Sequence, residues 1–91
     1  MKMVVNRCYG GFSLSNFAVS VLGLSNCYDE ISRFDEDLIS LIESEGSDAV
    51  SGSNAKLRIV DIPDDFTDYE IADYDGVEDV IYVVDGKIHH S

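Results

Sequence analysis

Apolar and polar positions change rhythm several times along this chain, and each change marks an element. Met3, Val4 and Val5 form a β-compatible run, so a first strand is expected over residues 1–8, ended by the Gly10-Gly11 pair. Leu14, Phe17, Ala18, Val21 and Leu22 then recur at i, i+3, i+4, i+7 and i+8, the spacing of one apolar helix face. Ser13 is placed to cap that helix and Gly23 to stop it. Ser25-Asn26 reads as loop, and residues 27–33 as a short strand or an extended link. A second helix starts with Asp35 as cap and with Glu36 and Asp37 where the helix dipole favours negative charge; Phe34 is spaced to staple against Ile39. Leu38, Leu41 and Ile42 supply its apolar face before Gly46 ends it. Residues 47–54, small and polar, are expected to be a mobile loop.

The rhythm then shortens to two. Residues 56–62 alternate as a strand in which Leu57, Ile59 or Val60, and Ile62 compete for the inward face, and Pro63-Asp64-Asp65 breaks it. A short strand is expected over 69–74, turned by Asp75-Gly76. Five consecutive β-formers at 80–84 predict a strand buried on both faces. Asp85-Gly86 is a type I′ hairpin signal, with Lys87-Ile88 as the stub of a return strand. The order β-α-α-β-β-β predicts an α+β fold: two amphipathic helices on one face of a small, mostly antiparallel sheet, with the first strand inserted beside a late one. No repeat or composition shift divides the 91 residues, so a single domain over 1–91 is expected.

Charge changes this picture more than composition does. The apolar share of 45% is ordinary for a globular chain. No apolar run approaches the ~20 residues that span a bilayer, and the N-terminus turns polar too early for a signal peptide. The net charge is −12, and it is uneven. Residues 1–33 carry three bases against two acids, while residues 34–91 carry sixteen acids against three bases. The stretch 61–79 holds nine acids and no base. Such a field repels nucleic acid and anionic membrane surfaces and attracts basic partners. Cys8 and Cys27 have no metal-ligand spacing and are expected to be reduced, small hydrophobes in a reducing cytoplasm.

The candidate chemistry is sparse. Gly10-Gly11 matches neither the dinucleotide nor the P-loop fingerprint; with Arg7 nearby, a weak anion-binding turn is the functional alternative to a plain strand-to-helix turn. The acids lack the pattern of a calcium loop, and no metal or cofactor is expected. Two adjacent histidines, His89 and His90, complete no catalytic set, so no enzyme is expected. Tyr69, Tyr74 and Tyr82 lie at strand spacing among the acids; they either pack the sheet edge or serve as rigid anchors in a charged recognition surface.

The segment V-V-N-R-C-Y-G-G-F-S-L-S near the N-terminus resembles the opening of a set of short, uncharacterised proteins encoded by tailed bacteriophages and prophages. Two further matches are Asp29-Glu30-Ile31-Ser32-Arg33 with the acidic helix start, and the run from Ala55-Lys56-Leu57 through Pro63-Asp64-Asp65 to the Tyr-Asp-Gly of residues 74–76. Together they cover about half the chain, and residues 77–91 depart from the set's pattern. The resemblance implies a phage setting and a host cytoplasm, and supplies no mechanism.

The functional expectation is an accessory protein that binds a host protein with a basic surface, and inhibits a defence or nucleic-acid-handling system. The expected contact residues are Asp61, Asp64, Asp65, Asp68, Tyr69, Glu70, Asp73, Tyr74 and Asp75. The alternatives are a self-assembling module, a homodimer in which 80–84 is a sheet edge pairing with its twin, and a small anionic-ligand binder built from Arg7, Gly10 and Gly11.

Overall fold

The computed structural model describes residues 1–27 and 31–91; residues 28–30, inside the link expected over 27–33 and overlapping the Asp29-Glu30 part of the phage-like motif, lie outside the described residues. In chain order the elements are β1 (Lys2–Asn6), α1 (Asn16–Leu22), α2 (Glu36–Glu45), α3 (Ser47–Val50), β2 (Leu57–Asp61), β3 (Asp68–Tyr74), β4 (Val77–Val84) and β5 (Lys87–His90). The protein is a small α+β fold. Its strands divide into two antiparallel sheets, β1 with β2 and the meander β3-β4-β5. The first strand pairs with a late one, from Lys2 opposite Asp61 to Asn6 opposite Leu57.

The period-two alternation of β1 explains the layering. Val4 points into a core with Leu14, Ala18, Leu38, Ile39, Ile42, Val50 and Leu57. Its neighbours Met3 and Val5 point the other way, into a second core with Ile62 and Val80. All three β1 side chains are fully buried. The competition within β2 resolves in the same way, because that strand too has a layer on each face. Leu57 and Ile59 face the helices, while Val60 and, just past the strand, Ile62 face the second sheet.

The helix caps follow local chemistry. Asp35 accepts from the Leu38 N–H at 2.9 Å, and Gly46 follows the last residue of α2. Gly23, at φ 69°, ends α1 with the Leu24 N–H returning to the Val19 carbonyl. Ser15, not Ser13, caps α1, with its Oγ accepting from the Ala18 N–H at 3.1 Å. The face that α1 buries is also shifted: Ala18 is buried and Val19 and Leu22 pack on the core, while Phe17 and Val21 are exposed. The proposed staple also differs. Ile39 joins the helix-side core, whereas Phe34 packs on the second core and meets Tyr69 edge-on at 5.3 Å.

Residues 47–54 are not a loose loop. Ser47–Val50 forms a turn of helix that buries Val50 completely. Ser51 Oγ donates to the Ser47 carbonyl and accepts from the Leu57 N–H, and Ser47 Oγ donates to the Leu57 carbonyl. Serines usually mark loops because their hydroxyls satisfy backbone groups locally; here those same bonds tie α3 to β2.

Both β-hairpins close on Asp-Gly pairs with positive φ at both residues: Asp75 (52°) with Gly76 (92°), and Asp85 (52°) with Gly86 (74°). This is the type I′ geometry whose twist matches the flanking strands. The return strand extends to His90, and His89 stacks on Tyr82 at 5.4 Å. Residues 80–84 lie in β4, the middle strand of the meander, so they form no sheet edge. Nor is β4 covered on both faces: Val80 is fully buried, whereas residues 81–84 are half-buried.

Candidate functional site

The acids of residues 61–79 do not converge; they ring the second sheet in separate groups. Asp61 and Asp64 accept from the Met1 amino group at 2.9 and 2.6 Å. These hydrogen bonds, Asp64's first and Asp61's second, raise the amine's pKa above its ordinary value of 8.0. Asp65 is exposed beside them, in the turn that the Phe66 N–H closes on the Pro63 carbonyl. Register separates the rest. Tyr69, Ile71 and Asp73 oppose Tyr82, Val80 and Glu78 on the inner face of the sheet. Asp68 and Glu70 lie on the outer face, opposite Val83 and Ile81. Asp73 Oδ1 accepts from the Gly76 N–H at 2.7 Å and so braces the turn that carries Asp75. At ~3.3 Å per residue, β3 holds Asp68 about 20 Å from that turn.

The tyrosines also divide. Tyr69 meets both Phe34 and Phe66 edge-on, at 5.3 and 5.7 Å, and Tyr82 packs on the second core. Tyr74 is the most exposed of the three, at 74% against 42% for Tyr69.

Gly10 is explained by close backbone approach, and Gly11, where a Cβ would meet open space, by its positive φ of 94°. A Cβ on Gly10 would fall 2.7 Å from the Asn54 carbonyl oxygen, and one on Gly76 would fall 2.3 Å from the Gly11 nitrogen. The glycine pair thus seats the β3–β4 turn against the end of β1. The Gly10 N–H points to the Asp75 carbonyl at 3.3 Å. The Arg7 guanidinium lies 3.2 Å from both Asp79 Oδ1 and Ser91 Oγ, so that cation already has an anionic partner.

The side chains that join the two sheets are Asn6, Arg33 and Glu78, the first two inside the phage-like segments and the third outside them. Asn6 is fully buried. Its Nδ2 donates to the Cys8 and Gly76 carbonyls at 2.7 and 2.6 Å, and its Oδ1 accepts from the Lys56 N–H at 2.8 Å. Glu78, 4% exposed, receives both arms of Arg33 at 2.5 and 2.9 Å and the Asn6 N–H at 2.8 Å. Arg33 also donates to the Val4 carbonyl, receives the Val4 N–H on its own carbonyl, and lies 3.9 Å over the Phe12 ring. These bonds satisfy the β1 edge that β2 leaves open. Glu78 reads in sequence as one acid among nine; the signal that sets it apart is its place two residues before Val80 on the inward parity.

Cys8 and Cys27 are free, half-buried thiols. Among the described residues no three His, Cys, Asp or Glu side chains group to hold a metal ion, and no helix is long and apolar enough to cross a membrane. A surface groove of about 550 Å³ between Phe34 and Ile39 is lined by Lys2, whose ammonium lies 2.6 Å from Glu43.

The class that this architecture defines is a small α+β protein whose distinctive surfaces are its acidic rim and the outer face of its second sheet. Comparison of the chain with protein-family models, curated proteins and solved structures finds no match.

Proposed function

We propose that the chain is a bacteriophage accessory protein that binds a host protein in the host cytoplasm through its acidic surface, and thereby inhibits a defence or nucleic-acid-handling system. The observation that carries this reading is the outward projection of Asp64, Asp65, Asp68 and Glu70 in a 19-residue stretch without a single base, with the exposed ring of Tyr74 at the far end of β3. Such a surface attracts a basic partner over a Debye length of roughly 8 Å at physiological salt. The resemblance of residues 4–15 to short phage proteins supplies the biological setting. A homodimer joined through residues 80–84 lacks the edge it needs, since β4 is internal.

The test is affinity capture from bacterial lysate, then titration of the purified partner against the parent protein and a variant carrying Asp64→Lys, Asp65→Lys and Asp68→Lys. The variant is expected to bind at least tenfold more weakly, and the parent to weaken steeply as salt rises. Equal capture of the same partner by both proteins removes the acidic surface from the proposal.

A further inference from the structure

The inner face of the second sheet is covered by β1 and Phe34, but its outer face carries apolar residues that belong to neither core. Register places Ala72 and Tyr74 of β3, Val77, Ile81 and Val83 of β4, and Ile88 of β5 on that outer face. Tyr74 is 74% and Ile88 69% exposed, and the other four are half-buried. Ile81, Val83 and Ile88 form one apolar group, and Ala72, Tyr74 and Val77 another, with Asp79 between them. The same face carries Asp68 and Glu70 along its β3 margin, and its strands place no lysine or arginine there; the cation that reaches it, Arg7, is already held on Asp79 at 3.2 Å.

We propose that this face docks a basic amphipathic helix of the partner protein, its apolar stripe lying along β4 and its flanking lysines or arginines over Asp68 and Glu70. The inference rests on the acidic-surface reading and names the partner's form. Where β5 flanks β4, over residues 81–84, three strands ~4.8 Å apart present a face about 10 Å wide, one helix diameter, and β3 with β4 continues it toward Val77. The seven positions from Val77 to Val83 extend over about 20 Å, the length of roughly 14 helical residues. Helices already cover the first sheet of this molecule on its far side, and one more would complete the layer order that an apolar sheet face requires. Charge decides between occupants. A second copy would bring another −12 and oppose acid to acid across the contact, whereas a helix flanked by lysines meets Asp68 and Glu70 with opposite sign.

The probe is a labelled 14-residue peptide of leucine and lysine, with leucines at i, i+3, i+4 and i+7, titrated by fluorescence anisotropy in 0.15 M salt beside a scrambled peptide of the same composition. The striped peptide is expected to bind at least tenfold more tightly than the scrambled one. Ile88→Ser with Ile81→Thr is expected to lose that advantage, with circular dichroism checking that the fold is kept. Phe17→Ser with Val21→Ser, which removes the exposed apolar residues of α1, is expected to leave it intact. Equal binding of both peptides, abolished by the Asp64, Asp65 and Asp68 charge reversals, overturns the helix-docking face and leaves the acidic-surface reading standing. Binding lost in the α1 variant instead moves the apolar contact and overturns the proposal. A dimer that Ile88→Ser dissociates makes a second copy the occupant and also overturns it. If neither basic peptide binds, the helix-docking face is overturned, and capture of a host protein that the charge reversals weaken still decides the acidic-surface reading.

Discussion

Asn6 shows how one polar side chain can hold two sheets in register. Its three side-chain hydrogen bonds satisfy a backbone N–H from residue 56 and carbonyls from residues 8 and 76, at full burial. Asn6→Ala leaves those groups without partners, and each unsatisfied buried group costs ~1–3 kcal/mol. A loss of about 3 kcal/mol is expected in urea unfolding, a large share of the ~5–15 kcal/mol that holds a typical domain; a loss below 1 kcal/mol would mean that the joint is held elsewhere. Gly76 is the second residue of this kind. Gly76 and Gly86 both have positive φ in Asp-Gly turns, but a Cβ at 86 meets open space, whereas one at 76 strikes the Gly11 backbone. Gly86→Ala is expected to cost about 1 kcal/mol for the left-handed conformation alone. Gly76→Ala adds the clash, so it is expected to exceed Gly86→Ala by at least 2 kcal/mol. Equal losses would show that the Gly10-Gly11 contact yields freely.

At the scale of elements, the open edge of β1 is closed by side chains where a third strand would otherwise pair. Val4 is satisfied by Arg33, and the Asn6 N–H by Glu78. An edge left bare presents a row of donors and acceptors to any passing strand. Glu78→Gln keeps the shape but removes the charge that pairs with Arg33, and breaking a buried pair from one side costs ~3–5 kcal/mol. Arg33 keeps 23% exposure, so about 2 kcal/mol is the expected loss. The more telling readout is hydrogen exchange: the Asn6 amide is expected to exchange faster relative to the β2-paired Val5 amide, and a uniform rise across β1 would instead report general loosening.

How much of this was legible in the sequence depends on the range of the forces. Asp35, Gly23, Gly46, Asp75-Gly76 and Asp85-Gly86 act within a few residues, and the structure uses each where the pattern placed it. Ser51 also acts locally, but its partners lie in α3 and β2, so a run of small polar residues read as a loop when it is a knot. The apolar run at 80–84 predicts burial on both faces, but hydrophobicity records what a face prefers, not what covers it. The candidate site had the same limit. The acids could be counted in sequence, but only register places Asp68 and Glu70 on the outer face and turns Asp73 and Glu78 to the inner one.

Charge acts on the molecule as a whole, and two of its consequences separate by pH and salt. With −12 on 91 residues, the acids on balance repel one another in the folded state. Screening by salt therefore stabilises the fold. The melting temperature at pH 7 is expected to rise by several degrees between 10 mM and 300 mM sodium chloride, and a fall would show that the ion pairs outweigh the repulsion. The Met1 amine acts in the opposite sense at alkaline pH. Its hydrogen bonds to Asp64 and Asp61 raise its folded pKa above 8.0, so the ammonium is favoured by folding. The stability it contributes is fully present below pH 8.0 and is lost as pH rises through the raised folded value. Asp64→Asn removes the larger of the two causes and leaves one acid fewer. The variant is expected to lose less stability than the parent between pH 8 and pH 10, while keeping a smaller salt dependence at pH 7. If the two proteins lose stability in parallel over that alkaline range, the amine contributes nothing measurable, and the acids around it act only through the overall field.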